Sequence, residues 1–237
     1  MFYHIERYFL KDLKLIYFKM RALAETPQLL LHYAEIPYSY LMSWEFYKKP
    51  WGEVKSNVPF HQLPILVVDN KTHIAQSGSI VRYIARIANL VPKDCELAAK
   101  VDAVFETTQE MFSPLNPTVN FSIGADFQQK RTTILESLPA RLLTFERVLN
   151  NSPEGKFFFG NKPFYCDFAV YHHISLALFL DENLLKNYPK ISEMMRAVES
   201  LPGTIKYFKT RPKLIGVGTC PQLVINGTAV STGVSEV

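Results

Sequence analysis

Apolar residues fall in short runs over the first third of the chain and at helical spacing over most of the rest. "LKLIYF", Leu13 to Phe18, predicts a buried strand. "LAETPQLLLHYAEI" follows, with Leu23, Leu30, Tyr33 and Ala34 at helical spacing. Pro27 stands near its start, where a missing amide is tolerated, and Pro37 ends it. "YSYLMS", Tyr38 to Ser43, predicts a second strand, and the mixed stretch from Trp44 to Asn57 predicts irregular structure or a short helix. "PILVVD", Pro64 to Asp69, predicts a strand, "DNK" a hairpin turn and "THIA" its partner strand. Gln76 to Leu90 predicts an amphipathic helix, with Ile80, Ile84 and Ile87 on one stripe flanked by Val81 and Ala88. The order is β-α-β, a connection, then β-β-α, a small α/β domain over residues 11–91.

Past Pro92 the strand patterns almost vanish. Helical spacing runs from about Cys95 to Phe112, Phe127 to Leu149, Asp167 to Leu180 and Ile191 to Leu201. Pro114 and Pro117 are expected to break the first of these from the second. A second, all-helical domain over residues 94–215 results. The remainder, residues 216–237, is rich in Gly, Ser, Thr and Val without periodicity and is expected to be disordered or loosely attached.

At 237 residues, 48% hydrophobic and 13% aromatic, the chain can fill two small cores. A formal charge of +4, spread in clusters such as Lys48–Lys49, gives no basic run of the kind nucleic acid would need. Cys95, Cys166 and Cys220 lie far apart and form no C-x-x-C, so no disulfide framework is expected and a reducing, cytoplasmic location is. The start "MFYHIERYFLKDLK" does not read as a signal peptide, and no apolar run of ~18 residues predicts a membrane span. The sequon Asn226-Gly227-Thr228 reads as chance in such a compartment.

The chemistry concentrates in the first domain. Pro64 either merely starts a strand or carries a cis peptide, and the second arrangement would turn the N–H and C=O of Leu63 outward, where an extended peptide could pair with them. The next helix starts at Gln76-Ser77-Gly78-Ser79, where Ser77 is expected to cap and the first amides favour a carboxylate. Together these features suit a short peptide with an α-carboxylate. After the first strand come Tyr17-Phe18-Lys19-Met20-Arg21, with no cysteine, which excludes thiol–disulfide exchange by a protein cysteine there. Tyr17 is either an ordinary aromatic at a strand end or a hydroxyl that stabilises a thiolate brought by the ligand. Cys166 and His173 would sit ~10 Å apart along one helix, too far for a catalytic dyad. His172 and His173 point apart, so no metal site is expected. "FFFG", Phe157 to Gly160, reads as core.

These residues together resemble the cytosolic glutathione S-transferases, most closely the sigma class, which includes haematopoietic prostaglandin D synthases. "LKLIYFKMRALAE" is similar to that class's first strand, tyrosine and helix entry. "WGEVKSNVPFHQLPILVVDNKTHIAQSGSIVRYIAR" resembles its glutathione-binding stretch, and "YPKISEMMRAVESLPGTIKYFKTRP" its last helical segment. The resemblance implies a thioredoxin-like N-terminal domain followed by an all-α C-terminal domain. It implies that Tyr17 donates to the thiolate and that Trp51 and Lys55 hold the glycine end of glutathione. Leu63, before cis-Pro64, would pair with the cysteinyl backbone, Gln76 and Ser77 would bind the γ-glutamyl carboxylate, and Gln62 would line the groove. Glu110 of a partner subunit would meet the γ-glutamyl ammonium, which implies a homodimer.

The chain also departs from the class. Leu23 stands where an arginine is common, and Arg21 is the candidate to compensate. His61 replaces a usual glycine. Gln109 breaks the acidic pattern around Glu106, which argues against metal activation, and Phe164 replaces the hydroxyl cap before Asp167. The activity implied is transfer of glutathione to a hydrophobic electrophile. The alternatives are glutathione-dependent isomerisation of a prostaglandin endoperoxide, or a weakly catalytic ligand-binding protein on the same fold.

Overall fold

The computed structural model describes residues 11–152 and 154–235. The N-terminal stretch read as lacking a signal peptide lies mostly outside them.

The first unit is built on a four-stranded sheet of order β2-β1-β3-β4. β1 (Leu13–Tyr17) pairs in parallel with β2 (Ser39–Met42), and antiparallel with β3 (Ile65–Val68), where Ile16 faces Ile65. β4 (Thr72–Ala75) pairs antiparallel with β3. β1 and β3 are buried through almost their whole length, which is why they read as unbroken apolar runs, while the first two residues of β4 are exposed and its last two half-buried. Asp69 and Asn70 both take φ 54°, the left-handed pair that closes a tight hairpin. α1 (Ala22–Tyr33) and α4 (Ser77–Ile87) pack against each other. Ile80, Val81 and Ile84 are buried, but Ile87, expected on the same stripe, is exposed at the end of α4. Short helices α2 (Ser43–Tyr47) and α3 (Trp51–Val54), then two 3₁₀ turns, connect β2 to β3.

The second unit consists of α5 (Cys95–Phe121), α6 (Gly124–Asn150), α7 (Tyr165–Ala177), α8 (Pro189–Glu199) and α9 (Pro202–Thr210). α7 is buried nearly all round and packs on α5, α1, α8 and α4, so it shows no polar face in sequence. The expected break at Pro114 and Pro117 does not occur: α5 runs through both. Leu115 and Val119 are buried beside them, and the Pro114 and Pro117 carbonyls accept from Thr118 Oγ1 at 2.7 Å and the Ser122 amide at 3.2 Å. Tertiary packing outweighs a proline's local preference there. The hydroxyl missing before α7 is offset by Asp167, whose carboxylate accepts from the Phe164 and Phe158 amides at 2.8 and 2.9 Å.

The expectation of a disordered tail is also corrected. β5 (Lys213–Ile215), β6 (Gln222–Ile225) and β7 (Thr228–Ser231) form an antiparallel meander of order β5-β6-β7. Leu214 and Leu223 are buried in the core. Asn226 and Gly227, at φ 50° and 82°, make the β6–β7 turn, so the sequon residues are a hairpin.

The two units are tied by a buried carboxylate. Glu25 of α1 is 0% exposed and accepts from Tyr207 of α9 at 2.8 Å and from Arg211 at 2.6 Å. Arg82 of α4 makes a second tie, to Asp102 at 2.8 Å and to Glu106, both on α5.

Candidate active site

One end of the first sheet collects the chemistry. β1, β2 and β4 finish there and β3 begins there, so Tyr17, the Leu63–Pro64 turn and Gln76–Ser77 converge from distant parts of the chain. The tyrosine ends β1 and is only 4% exposed. Burial raises its pKa above the ordinary phenol value, against a smaller opposing hydrogen bond from the Leu23 backbone. The phenol therefore remains protonated through neutral pH and keeps a proton to donate. Its ring lies 5.2 Å from Phe18, whose ring lies 5.3 Å from Trp51 in an edge contact. Trp51 is thereby fixed near Tyr17 at the start of α3.

Leu63–Pro64 is a cis peptide. Among the described residues neither the N–H nor the C=O of Leu63 has a backbone partner, although Leu63 is itself buried. A buried residue with an open peptide edge is a place for another peptide. Phe60 and His61 just before it take φ 57° and 54°. A glycine would adopt that conformation at no steric cost, which explains the usual residue at position 61. The His61 ring leans away, with Nδ1 3.1 Å from the Lys55 carbonyl. Lys55 itself is exposed at the first 3₁₀ turn.

Ser77, expected from sequence to cap α4, does not do so. It is the first helical residue, the cap position belongs to Gln76 at φ 68°, and no side chain caps the helix. The first-turn amides are left open, an anion site with the helix dipole behind it. Gln76 Nε2 donates to Gln62 Oε1 at 3.5 Å, which sets both amide side chains at the same rim. Gln76 is thus a non-glycine residue at positive φ held beside open amides.

Two sequence candidates are not brought to this groove. Arg21 is buried and turned toward the helical unit, 5.8 Å over the Phe179 ring, with Nε unpartnered. Burial lowers its pKa, and the nearby Glu25 carboxylate opposes that. Glu110 lies on α5, where it accepts from Arg141 of α6 at 2.6 Å. Cys166 is buried with its thiol toward Asp167, and His173 Nδ1 sits 2.8 Å from the Ala169 carbonyl. Among the described residues no group of three or more His, Cys, Asp or Glu is placed to hold a metal ion. The sequence reading missed one neighbour of the site altogether. Gly233, past β7, pairs with Lys19, two residues beyond Tyr17. The signal that could have found it is Asn226-Gly227 flanked by apolar residues, a strong short-range hairpin mark.

A thioredoxin-like unit joined to an all-helical unit is the two-domain architecture of the glutathione transferases. Two family models match the chain: "Glutathione S-transferase, N-terminal domain" over residues 13–86 and "Glutathione S-transferase, C-terminal domain" over residues 115–211. The chain is 32% identical over 209 residues to Glutathione S-transferase 4 of Caenorhabditis elegans, covering 84% of this chain and 96% of that one. It is 27% identical over 206 residues to Hematopoietic prostaglandin D synthase of Homo sapiens, again covering 84% and 96%. The solved structure of rat hPGDS complexed with a quinoline is similar at a TM-score of 0.73 and 26% identity, covering 85% and 98%. This chain belongs to the glutathione S-transferase family. It is a glutathione transferase that takes glutathione as co-substrate. Among the described residues no helix is long and apolar enough to cross a membrane.

Proposed function

We propose that glutathione lies along the Leu63–Pro64 edge and that Tyr17 holds its sulfur ionised for attack on hydrophobic electrophiles. The observation that carries this reading is the protonated, buried phenol of Tyr17 at the same sheet end as an unpaired peptide edge and an uncapped helix start. The cysteinyl backbone pairs with Leu63 as a short added strand. The γ-glutamyl carboxylate sits on the first-turn amides of α4, with Ser77 and Gln76 beside it. Trp51 and Lys55 hold the glycine end, and Gln62 lines the groove. The Tyr17 O–H donates to sulfur and favours S⁻ over SH. A sulfur lone pair then forms the C–S bond, while the leaving group departs with its electron pair. With a conjugated acceptor, the neighbouring carbon instead takes a proton from water. Arg21 faces the electrophile side rather than the tripeptide.

The working unit is a homodimer, in which Glu110 of the second copy meets the γ-glutamyl ammonium and exchanges its present Arg141 partner for it. Cysteine usage supports a cytoplasmic location. The test is conjugation of a chlorinated dinitrobenzene by the wild type and Tyr17→Phe. Losing a hydrogen bond to a charged sulfur lowers kcat/KM by roughly 10- to 100-fold while glutathione affinity is retained. An unchanged rate in the variant overturns the mechanism.

A further inference from the structure

The carboxy-terminal meander lies beyond residue 211, where the match to the helical family model stops, yet it is fastened to the site. The Lys19 amide donates to the Gly233 carbonyl at 3.0 Å, and the Gly233 amide donates back to the Lys19 carbonyl at 3.2 Å. One residue earlier, Thr232 Oγ1 donates to the Asn120 carbonyl at 2.5 Å. Lys19 belongs to the loop that follows Tyr17, and Asn120 to the last turn of α5. Lys19 belongs to the first unit and Asn120 to the second, so these bonds join the two units two residues beyond Tyr17. Adjacent residues of one strap are bonded to both units, so the two are bridged there by a single strand, and paired strands stand about 4.8 Å apart.

The strap has a rigid base. Gly218 bridges to Ile123, and its carbonyl accepts from the Gly124 amide at 3.0 Å. A Cβ at Gly218 would stand 2.6 Å from the Phe127 ring, so the link between β5 and β6 is pressed against the start of α6. Leu214 and Leu223 are buried in the core beneath. The meander is thus a docked element whose end beyond β7 joins the Lys19 loop to the last turn of α5.

We propose that the β5–β7 meander caps the electrophile half of the site and that its strap, Thr232–Gly233, selects compact electrophiles, such as halogenated arenes and short enals, over long-chain lipid electrophiles. The proposal rests on the transferase reading of Tyr17. Among the described residues the strap's hydrogen bonds go to Lys19, Asn120 and Pro221 and not to Leu63, Gln76 or Ser77, so it bears on the second substrate and leaves glutathione binding alone.

The test uses the full chain carrying Thr232→Val with Gly233→Pro, which removes the Asn120 bond and the Gly233 N–H. Thr232→Val alone is the milder variant should the pair fail to fold. Glutathione affinity is read by calorimetry. kcat/KM is read with a chlorinated dinitrobenzene and with an analogue bearing a long alkyl chain, and backbone exchange is read at the Lys19 amide. The expected result is unchanged glutathione affinity, faster exchange at Lys19, and a bulky-to-compact kcat/KM ratio that rises about tenfold, the scale on which pocket size discriminates. An unchanged ratio, or an equal loss with both substrates, overturns the cap. A wild type that neither binds glutathione nor conjugates the compact probe sinks the transferase reading instead. In that case unchanged Lys19 exchange in the variant still overturns the cap on its own.

Discussion

Tyr17 combines two demands that usually conflict. In the proposed mechanism it must be dry enough to stay a neutral donor, and it must sit where a ligand sulfur can reach it. Its place on the last residue of β1 puts it both in the core and at the sheet end. Its pKa is raised by burial, so in the working pH range the titrating group is the bound thiol and not the phenol. The rate of the wild type therefore rises with pH as the thiol ionises. In Tyr17→Phe the same rise is displaced upward by about one to two pH units, the pKa equivalent of a hydrogen bond to a charged group. A pH series of kcat/KM checks it, and coincident profiles would refute it. Gln76→Ala is expected to weaken glutathione binding by roughly tenfold, the worth of about one hydrogen bond, without lowering the melting temperature. Calorimetry and thermal melts separate those outcomes. At this scale the sequence was informative where a residue type is chemically committed, as with the proline before β3, whose peptide is cis. It misjudged Ser77, because helix assignment there turns on the left-handed backbone of Gln76, which no propensity announces.

The strands of the first sheet were readable as apolar runs because β1 and β3 are covered on both faces. α5 was cut short in the reading because two prolines outweighed an apolar pattern that the buried Leu115 and Val119 continue. The meander was missed for the opposite reason: its strands are three or four residues long, too short to show a period, and only the Asn226-Gly227 turn spoke for them. Packing between elements yields its own predictions. Arg211→Met leaves the Glu25 carboxylate buried with only Tyr207 as donor. Stability is expected to fall by about 3–5 kcal/mol, as when one partner of a buried pair is removed. Urea unfolding measures it, and a loss below about 1 kcal/mol, the scale of an exposed pair, would show that water reaches Glu25. Gly203, at the start of α9, lies against the end of α1, where a Cβ would meet the His32 carbonyl at 2.5 Å. Gly203→Ala should cost about 1–3 kcal/mol by forcing the two helices apart.

Across the whole molecule, acid stability is governed by buried groups of opposite sign. Burial lowers the pKa of His172, and it pushes His173 down to about 4. Both are neutral when folded, so below their ordinary pKa near 6.5 the unfolded chain takes up protons that the folded chain refuses. Their contribution to stability is lost as pH falls through that window. Asp167 works the other way. Burial pushes it up to about 7, so it favours the folded chain in acid and loses that contribution as pH rises. The clean readout is a difference: the stability of the wild type minus that of His172→Leu with His173→Leu should shrink from pH 7 to pH 5 by up to about 1.4 kcal/mol per pH unit per histidine. A flat difference in urea melts would exclude the histidines. The domain order and family were legible from the chain, but the relation between the units was not, since it is set by single side chains far apart in sequence. Glu25 and Arg211 are 186 positions apart and meet at 2.6 Å. Chimeras that graft the amino-terminal half of this transferase onto the helices of a relative must therefore carry Tyr207 and Arg211 along with it, or the junction strands a negative charge in the interior.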